Sequence, residues 1–104
     1  MDVLSSLLEV AIPSRTMEVK ITVSFISPKK IQKINQEMRG KSYTPAVLSF
    51  PYYDRTEDGI LLGEILICKP EARKLAKKNG VTLDEQINAL IVHGTKHILG
   101  VHED

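Results

Sequence analysis

The chain has one cysteine and no tryptophan among its 104 residues. A lone thiol, Cys68, cannot close an intramolecular disulfide, which suits a reducing cytoplasm. Surplus charge is also missing. The formal net charge is +1, so the chain is no polycation, and any nucleic-acid binding must come from local patches. No apolar run approaches the length of a membrane-spanning helix. No basic segment precedes the first apolar residues, so no secretory signal is expected. Internal repeats and low-complexity tracts are absent as well. What is present is ordinary for a globular protein: 42% hydrophobic and 26% charged residues. That composition and length predict one domain over residues 1–104 with one core.

Histidine is scarce too, and its distribution is uneven. All three histidines, His93, His97 and His102, lie near the C-terminus. His93 and His97 are spaced so that, on a helix, both rings leave the same face one turn apart. This is how a helix offers two nitrogen ligands to a divalent metal. Gly100 follows. A glycine there can adopt a left-handed conformation, end the helix and turn the chain back. His102 or Glu103 could then return as a third ligand. The frame resembles the zinc motif of metzincin proteases. Yet Gly94 stands where those enzymes carry their glutamate general base. The expected enzyme is therefore a hydrolase that finds its base elsewhere.

The rest of the chain alternates helix and strand patterns. Asp2 can cap a short helix carrying Val3, Leu4, Leu7, Leu8 and Val10, ended by Pro13. Over residues 17–26, Val19, Ile21, Val23 and Phe25 alternate with polar residues, predicting a strand with one buried face. Ser27-Pro28 opens a helix with Ile31, Ile34 and Met38 as its apolar stripe, ended by Gly40. A second strand is expected over residues 46–50, stopped by Pro51, with an exposed hairpin-type connection over 52–59. A third strand is expected over residues 60–68, where Gly63 points to a bulge or a close backbone approach. Pro70 opens a basic helix ended by Asn79-Gly80, best read as a solvated face. Thr82-Leu83-Asp84-Glu85 is a capping box. It starts a last, central helix whose core face is Leu83, Ile87, Leu90, Ile91 and Ile98.

Three stretches together resemble the YbeY family of bacterial endoribonucleases, the rRNA maturation factors. The family's metal signature, H-G-x-x-H-x-x-G-x-D-H, is met by His93-Gly94-Thr95-Lys96-His97-Ile98-Leu99-Gly100-Val101-His102-Glu103. Its R-G-K-D-x-P-T-D-V-L-S-F-P stretch aligns without a gap with Arg39-Gly40-Lys41-Ser42-Tyr43-Thr44-Pro45-Ala46-Val47-Leu48-Ser49-Phe50-Pro51. Its L-G-D-I-x-I-C stretch aligns with Leu62-Gly63-Glu64-Ile65-Leu66-Ile67-Cys68. The departures are specific. Glu103 stands where the family has its third histidine, and His102 stands where it has aspartate. Position favours Glu103 as third ligand and chemistry favours His102. The family's P-T-D also becomes Thr44-Pro45-Ala46, and the family's extra strand before the first helix is not expected here.

The resemblance and the periodicities together imply an α+β fold. A small mixed sheet of three or four strands is packed by about four helices, and a metal site lies at the end of the central C-terminal helix. The resemblance further implies a zinc-dependent endoribonuclease cutting single-stranded RNA, notably rRNA of the small ribosomal subunit, with ribosomal proteins as further partners. The expected metal ligands are His93, His97 and either Glu103 or His102, holding one Zn2+, although such a set also accommodates nickel, copper or iron. Arg39, matching the family's arginine, is the expected catalytic cation, because its planar fork suits phosphate. His93 or His102, where not metal-bound, could move protons. Lys41 and Lys96 are further candidates for phosphate contact. Cys68 is expected to be a buried small apolar residue and Ser49 a structural one. The competing expectation is a ribosome- or RNA-binding factor on the same fold, its catalysis weakened by the altered ligand.

Overall fold

The first strand, β1 (Glu18–Phe25), pairs in parallel with β3 (Gly59–Ile67), and β3 pairs antiparallel with β2 (Val47–Thr56). The sheet order is β1-β3-β2. Helix α1 (Pro28–Arg39) follows β1, and helices α2 (Lys69–Asn79) and α3 (Leu83–Ile98) follow β3. These elements come from a computed structural model, which describes residues 18–100. The helix expected before Pro13, like His102 and Glu103, lies outside the described residues. The α+β class and the three-stranded mixed sheet agree with expectation. Of about four helices expected, three are found among the described residues.

The two faces of β3 build two clusters, because side chains alternate along a strand. Leu66 and Cys68 join Ile31 of α1 and Leu48 of β2. Ile65 and Ile67 join Ile98 of α3, with Ile21, Val47, Ile87 and Ile91 packed around them. Ile65 and Ile67 are fully buried and Ile98 is 1% exposed. Each is worth about 1.5–3 kcal/mol as buried apolar surface, more than a single helix cap, typically ~1 kcal/mol. Apolar seating therefore decides where α3 lies.

Two glycines let α3 come that close. A Cβ on Gly94 would meet three side-chain carbons of Ile65 at 3.1–3.4 Å. A Cβ on Gly63 would meet the Phe50 carbonyl oxygen at 2.3 Å and Ile98 Cδ1 at 2.9 Å. Gly63 thus marks a close approach, one of the two readings its sequence context allowed. Gly94, whose side the protease motif would fill with glutamate, faces the sheet and has no room for one.

Helix α3 starts at the expected capping box. Thr82 Oγ1 accepts from the Glu85 N–H at 3.1 Å, and Glu85 Oε1 accepts from the Thr82 N–H at 3.1 Å. The hydrogen bonds from Thr82 hold the Glu85 carboxyl below its ordinary range. Helix α2 packs on α3, where Asn79 Nδ2 donates to Gln86 Oε1 at 2.8 Å. Its Ala72 and Ala76 are buried while Arg73, Lys74, Lys77 and Lys78 point to solvent, as a solvated basic face should.

Several expectations change. Pro51 does not stop β2, which runs on to Thr56. β2 is an edge strand, so a residue without an N–H is tolerated on its open side. The stretch expected as a connection is mostly paired strand, with a turn at Glu57–Asp58 and a bulge between Pro51 and Asp54. Nor does β1 bury one full face: Val19 is 61% and Phe25 52% exposed. β1 is the other edge, and among its alternating apolar residues Ile21 reaches the α3 cluster. Lys69 Nζ sits 4.5 Å from the centre of the Phe25 ring.

Candidate active site

Three of the expected site residues line one cleft of about 500 Å3 between the end of α1, the start of β2 and the last turns of α3. They are Arg39, His93 and His97, joined by Met38, Ser49 and Phe50. No carboxylate is among the described lining residues, and Arg39 is their one full cation. The described lining thus carries positive charge at Arg39.

Arg39 is placed by how α1 ends. Gly40 takes the left-handed conformation (φ 68) and its N–H caps the helix on the Gln36 carbonyl. The chain then returns along α1, where Asn35 Nδ2 donates to the Tyr43 carbonyl at 3.0 Å and Gln32 Nε2 to the Ser42 carbonyl at 3.1 Å. Asn35 is fully buried. Its Oδ1 accepts from Arg39 Nη1 at 3.3 Å, and the Tyr43 hydroxyl accepts from the same nitrogen at 3.4 Å. The guanidinium is thus steadied on one edge while the residue stays exposed.

His93 and His97 are both exposed on α3, one turn apart. Nδ1 of His97 lies 3.3 Å from Ser49 Oγ. With the proton on Nδ1, the ring donates to Ser49 and turns the Nε2 lone pair outward. This is the arrangement by which a neighbouring group fixes the tautomer of a metal-ligating histidine. Two imidazoles at this spacing, one with its Nδ1 occupied by Ser49 and its Nε2 turned elsewhere, are of the kind that a divalent metal such as zinc takes. Among the described residues, no group of three or more histidine, cysteine, aspartate or glutamate side chains could hold an ion. His93 and His97 are the two candidate ligands that the described residues bring to the cleft. Gly100 takes the expected left-handed turn (φ 75) just beyond them.

Other expected residues fall elsewhere. Lys41 is exposed and does not line the cleft. Lys96 lines a second depression, of about 350 Å3, on the other side of His93. Cys68 is fully buried in the α1 cluster, as expected. Met38, expected in the stripe of α1, is 66% exposed at the cleft, and Asn35 takes the buried place one turn after Ile31. Asn35 is not among the residues that the motifs single out. Its signal was an amide four residues from both Ile31 and Arg39, on the inward face of a helix. Ser49, expected to be structural, instead faces the His97 ring, a partner 48 residues away that no local motif reveals.

The sequence matches the family described as "Endoribonuclease YbeY" over residues 2–104. This chain belongs to the YbeY endoribonuclease family. An endoribonuclease YbeY of Bdellovibrio bacteriovorus is 37% identical over 81 residues, covering 78% of this chain and 51% of the relative. One of Sulfurihydrogenibium sp. is 39% identical over 83 residues, covering 79% of this chain and 55% of the relative. The chain thus spans little more than half the length of these YbeY relatives. A solution structure of a Thermotoga maritima protein superposes with a TM-score of 0.56 at 25% identity, covering 97% of this chain and 63% of that one. The family resemblance of the Arg39 and His93 stretches is thereby met by a fold that brings both to one cleft. No helix among the described residues is long and apolar enough to cross a membrane.

Proposed function

We propose that this YbeY-family chain is a zinc-dependent endoribonuclease that cuts single-stranded RNA in maturation of the small-subunit rRNA and in ribosome quality control. The observation that carries the reading is the convergence of Arg39, His93 and His97 on one cleft free of described carboxylates. The relatives' shared name, endoribonuclease, supplies the substrate class. His93 and His97 would hold the metal together with Glu103 or His102. What a bound zinc contributes is Lewis acidity, which activates water near neutral pH and polarises a phosphoryl oxygen.

The chain's own residues do the rest. The planar guanidinium of Arg39 binds the scissile phosphate and offsets the negative charge that builds on its oxygens as water adds to phosphorus and a P–O bond breaks. Asn35 and Tyr43 hold that guanidinium in place. Ser49 orients the His97 ring. As a metal ligand His93 cannot also serve as a free base, so the proton falls to whichever of His102 and Glu103 is not a ligand. A buried, free Cys68 suits the reducing cytoplasm in which ribosomes mature.

Elemental analysis of the purified protein tests the metal centre, with His102→Ala and Glu103→Ala beside the wild type. One equivalent of zinc, lost in one variant only, identifies the third ligand. A normal zinc content without cleavage of any RNA would instead favour the RNA-binding factor. No zinc in any form, even after supply, would refute the hydrolase reading.

A further inference from the structure

Tyr43 is 54% exposed, yet it is fixed at two points. Its backbone carbonyl accepts from the buried Asn35 amide at 3.0 Å, and its hydroxyl accepts from Arg39 Nη1 at 3.4 Å. The residue before it is held as well, since the Ser42 carbonyl accepts from Gln32 Nε2 at 3.1 Å. Aromatic rings contribute to a fold mainly by burying area. Here a large ring stays in water with its place already set. A ligand that covers it has little ordering left to offset.

The other exposed aromatics have different attachments. Lys69 lies over the Phe25 ring. The Tyr52 hydroxyl donates to Glu64, and that of Tyr53 to the Ile98 carbonyl. Among the described aromatic side chains, only that of Tyr43 is hydrogen-bonded to a residue lining the cleft of Arg39, His93 and His97. The bond meets the ring at its edge and does not use its faces. Both hydrogen bonds of the Arg39 guanidinium leave from Nη1, so its other edge is open to a phosphate. Met38, next to Arg39, adds apolar surface at the cleft, being 66% exposed. A cation and an aromatic ring fixed side by side match the two ends of one nucleotide, whose phosphate and base are one ribose apart.

Given the RNA substrate proposed above, we infer that Tyr43 is a specificity-determining residue that stacks an unpaired nucleobase beside the phosphate held by Arg39. Bases stack on aromatic side chains when they are splayed out of a helix. A base within a duplex stays in its own stack, and taking it out costs unstacking energy. Tyr43 thereby gives the cleft a preference for single strands. Every base has a π-face, so the contact asks for an unpaired base and not for a particular one.

The test is RNA binding by the whole metal-free chain, in chelator and at fixed salt. One probe is a short single-stranded oligoadenylate carrying a fluorescent label. The other is a labelled strand of the same length and charge whose sugars carry no bases. Tyr43→Phe and Tyr43→Leu both lack the hydroxyl and differ in the ring. Tyr43→Leu should bind the oligoadenylate about tenfold more weakly than Tyr43→Phe, as loss of one stacked base does. The two should bind the baseless strand alike. The chain has no tryptophan, so Tyr43→Trp carries a single indole at this position. The oligoadenylate should quench its emission and the baseless strand should not. If Tyr43→Leu fails to fold, the quenching decides alone. Equal affinity of the phenylalanine and leucine variants for the oligoadenylate, or an equal loss on both strands, would reduce Tyr43 to a support of Arg39 and overturn the inference. An indole that the oligoadenylate leaves unchanged would overturn it too. Wild type that binds neither strand would instead refute the RNA substrate itself, and the inference with it.

Discussion

Ser49 Oγ and His97 Nδ1 lie 3.3 Å apart, joining the second strand to the last turn of the last helix. This contact sets which nitrogen of His97 faces the cleft. Ser49→Ala removes it and leaves the ring free to rotate and change tautomer. Zinc affinity should fall about tenfold, the lower end of what outer partners of metal ligands contribute. Stability should hardly change, because Ser49 is only half-buried. Titration with zinc beside a thermal melt of the metal-free protein checks both halves.

Arg39→Lys keeps the charge and loses the fork. Zinc content should stay at the wild-type level while the rate of RNA cleavage falls about a hundredfold, the effect of deleting one transition-state donor. Single-turnover cleavage beside elemental analysis separates the two. An equal loss of metal would mean that Arg39 supports the metal centre rather than the phosphate.

Restoring the protease spelling should fail. Gly94→Glu forces a side chain against Ile65, whose carbons already lie 3.1–3.4 Å from where a Cβ would stand. Overpacking of this kind costs typically about 1–3 kcal/mol, and burying the carboxylate adds to it. Gly63→Ala should be at least as severe, since its Cβ would meet the backbone oxygen of Phe50 at 2.3 Å. Urea unfolding of both variants measures the loss.

The capping box at the start of α3 should make stability depend on pH. Hydrogen bonds from Thr82 lower the pKa of Glu85 in the folded protein. A depressed carboxylate contributes stability that is present above its unfolded pKa and lost as pH falls through its folded pKa. Wild type should therefore exceed Glu85→Gln in thermal midpoint at neutral pH, and the gap should close as the solution is acidified. A gap constant with pH would show that the carboxylate charge contributes nothing.

Much of this was legible in the chain because it is local. The capping box, the glycine that ends α1, the His93–His97 spacing and the turn at Gly100 each depend on residues within a few positions of one another. What was not legible depends on neighbours distant in sequence. Pro51 reads as a strand terminator until the sheet order shows that β2 is an edge. Gly94 reads as a missing catalytic base until Ile65 is found beneath it. Nothing near Asn35 in the sequence marks it as buried; the chain that folds back after Gly40 takes its amide. The strand over Val19 and Phe25 has the right period, yet periodicity cannot say which faces the helices cover. The site was half legible: its histidines and arginine were visible as motifs, whereas the groups that steady them, Ser49, Asn35 and Tyr43, were not.

The central claim is that the cleft of Arg39, His93 and His97 cuts RNA. It is tested most directly by incubating zinc-loaded protein with an end-labelled single-stranded RNA, beside the same RNA annealed into a duplex. Wild type, His97→Ala and Arg39→Ala are compared in parallel. The account predicts internal cuts in the single strand by wild type, little cutting of the duplex, and loss of cutting in both variants and in chelator. Zinc-loaded wild type that leaves the single strand intact, or variants that cut it as well as wild type does, would contradict it.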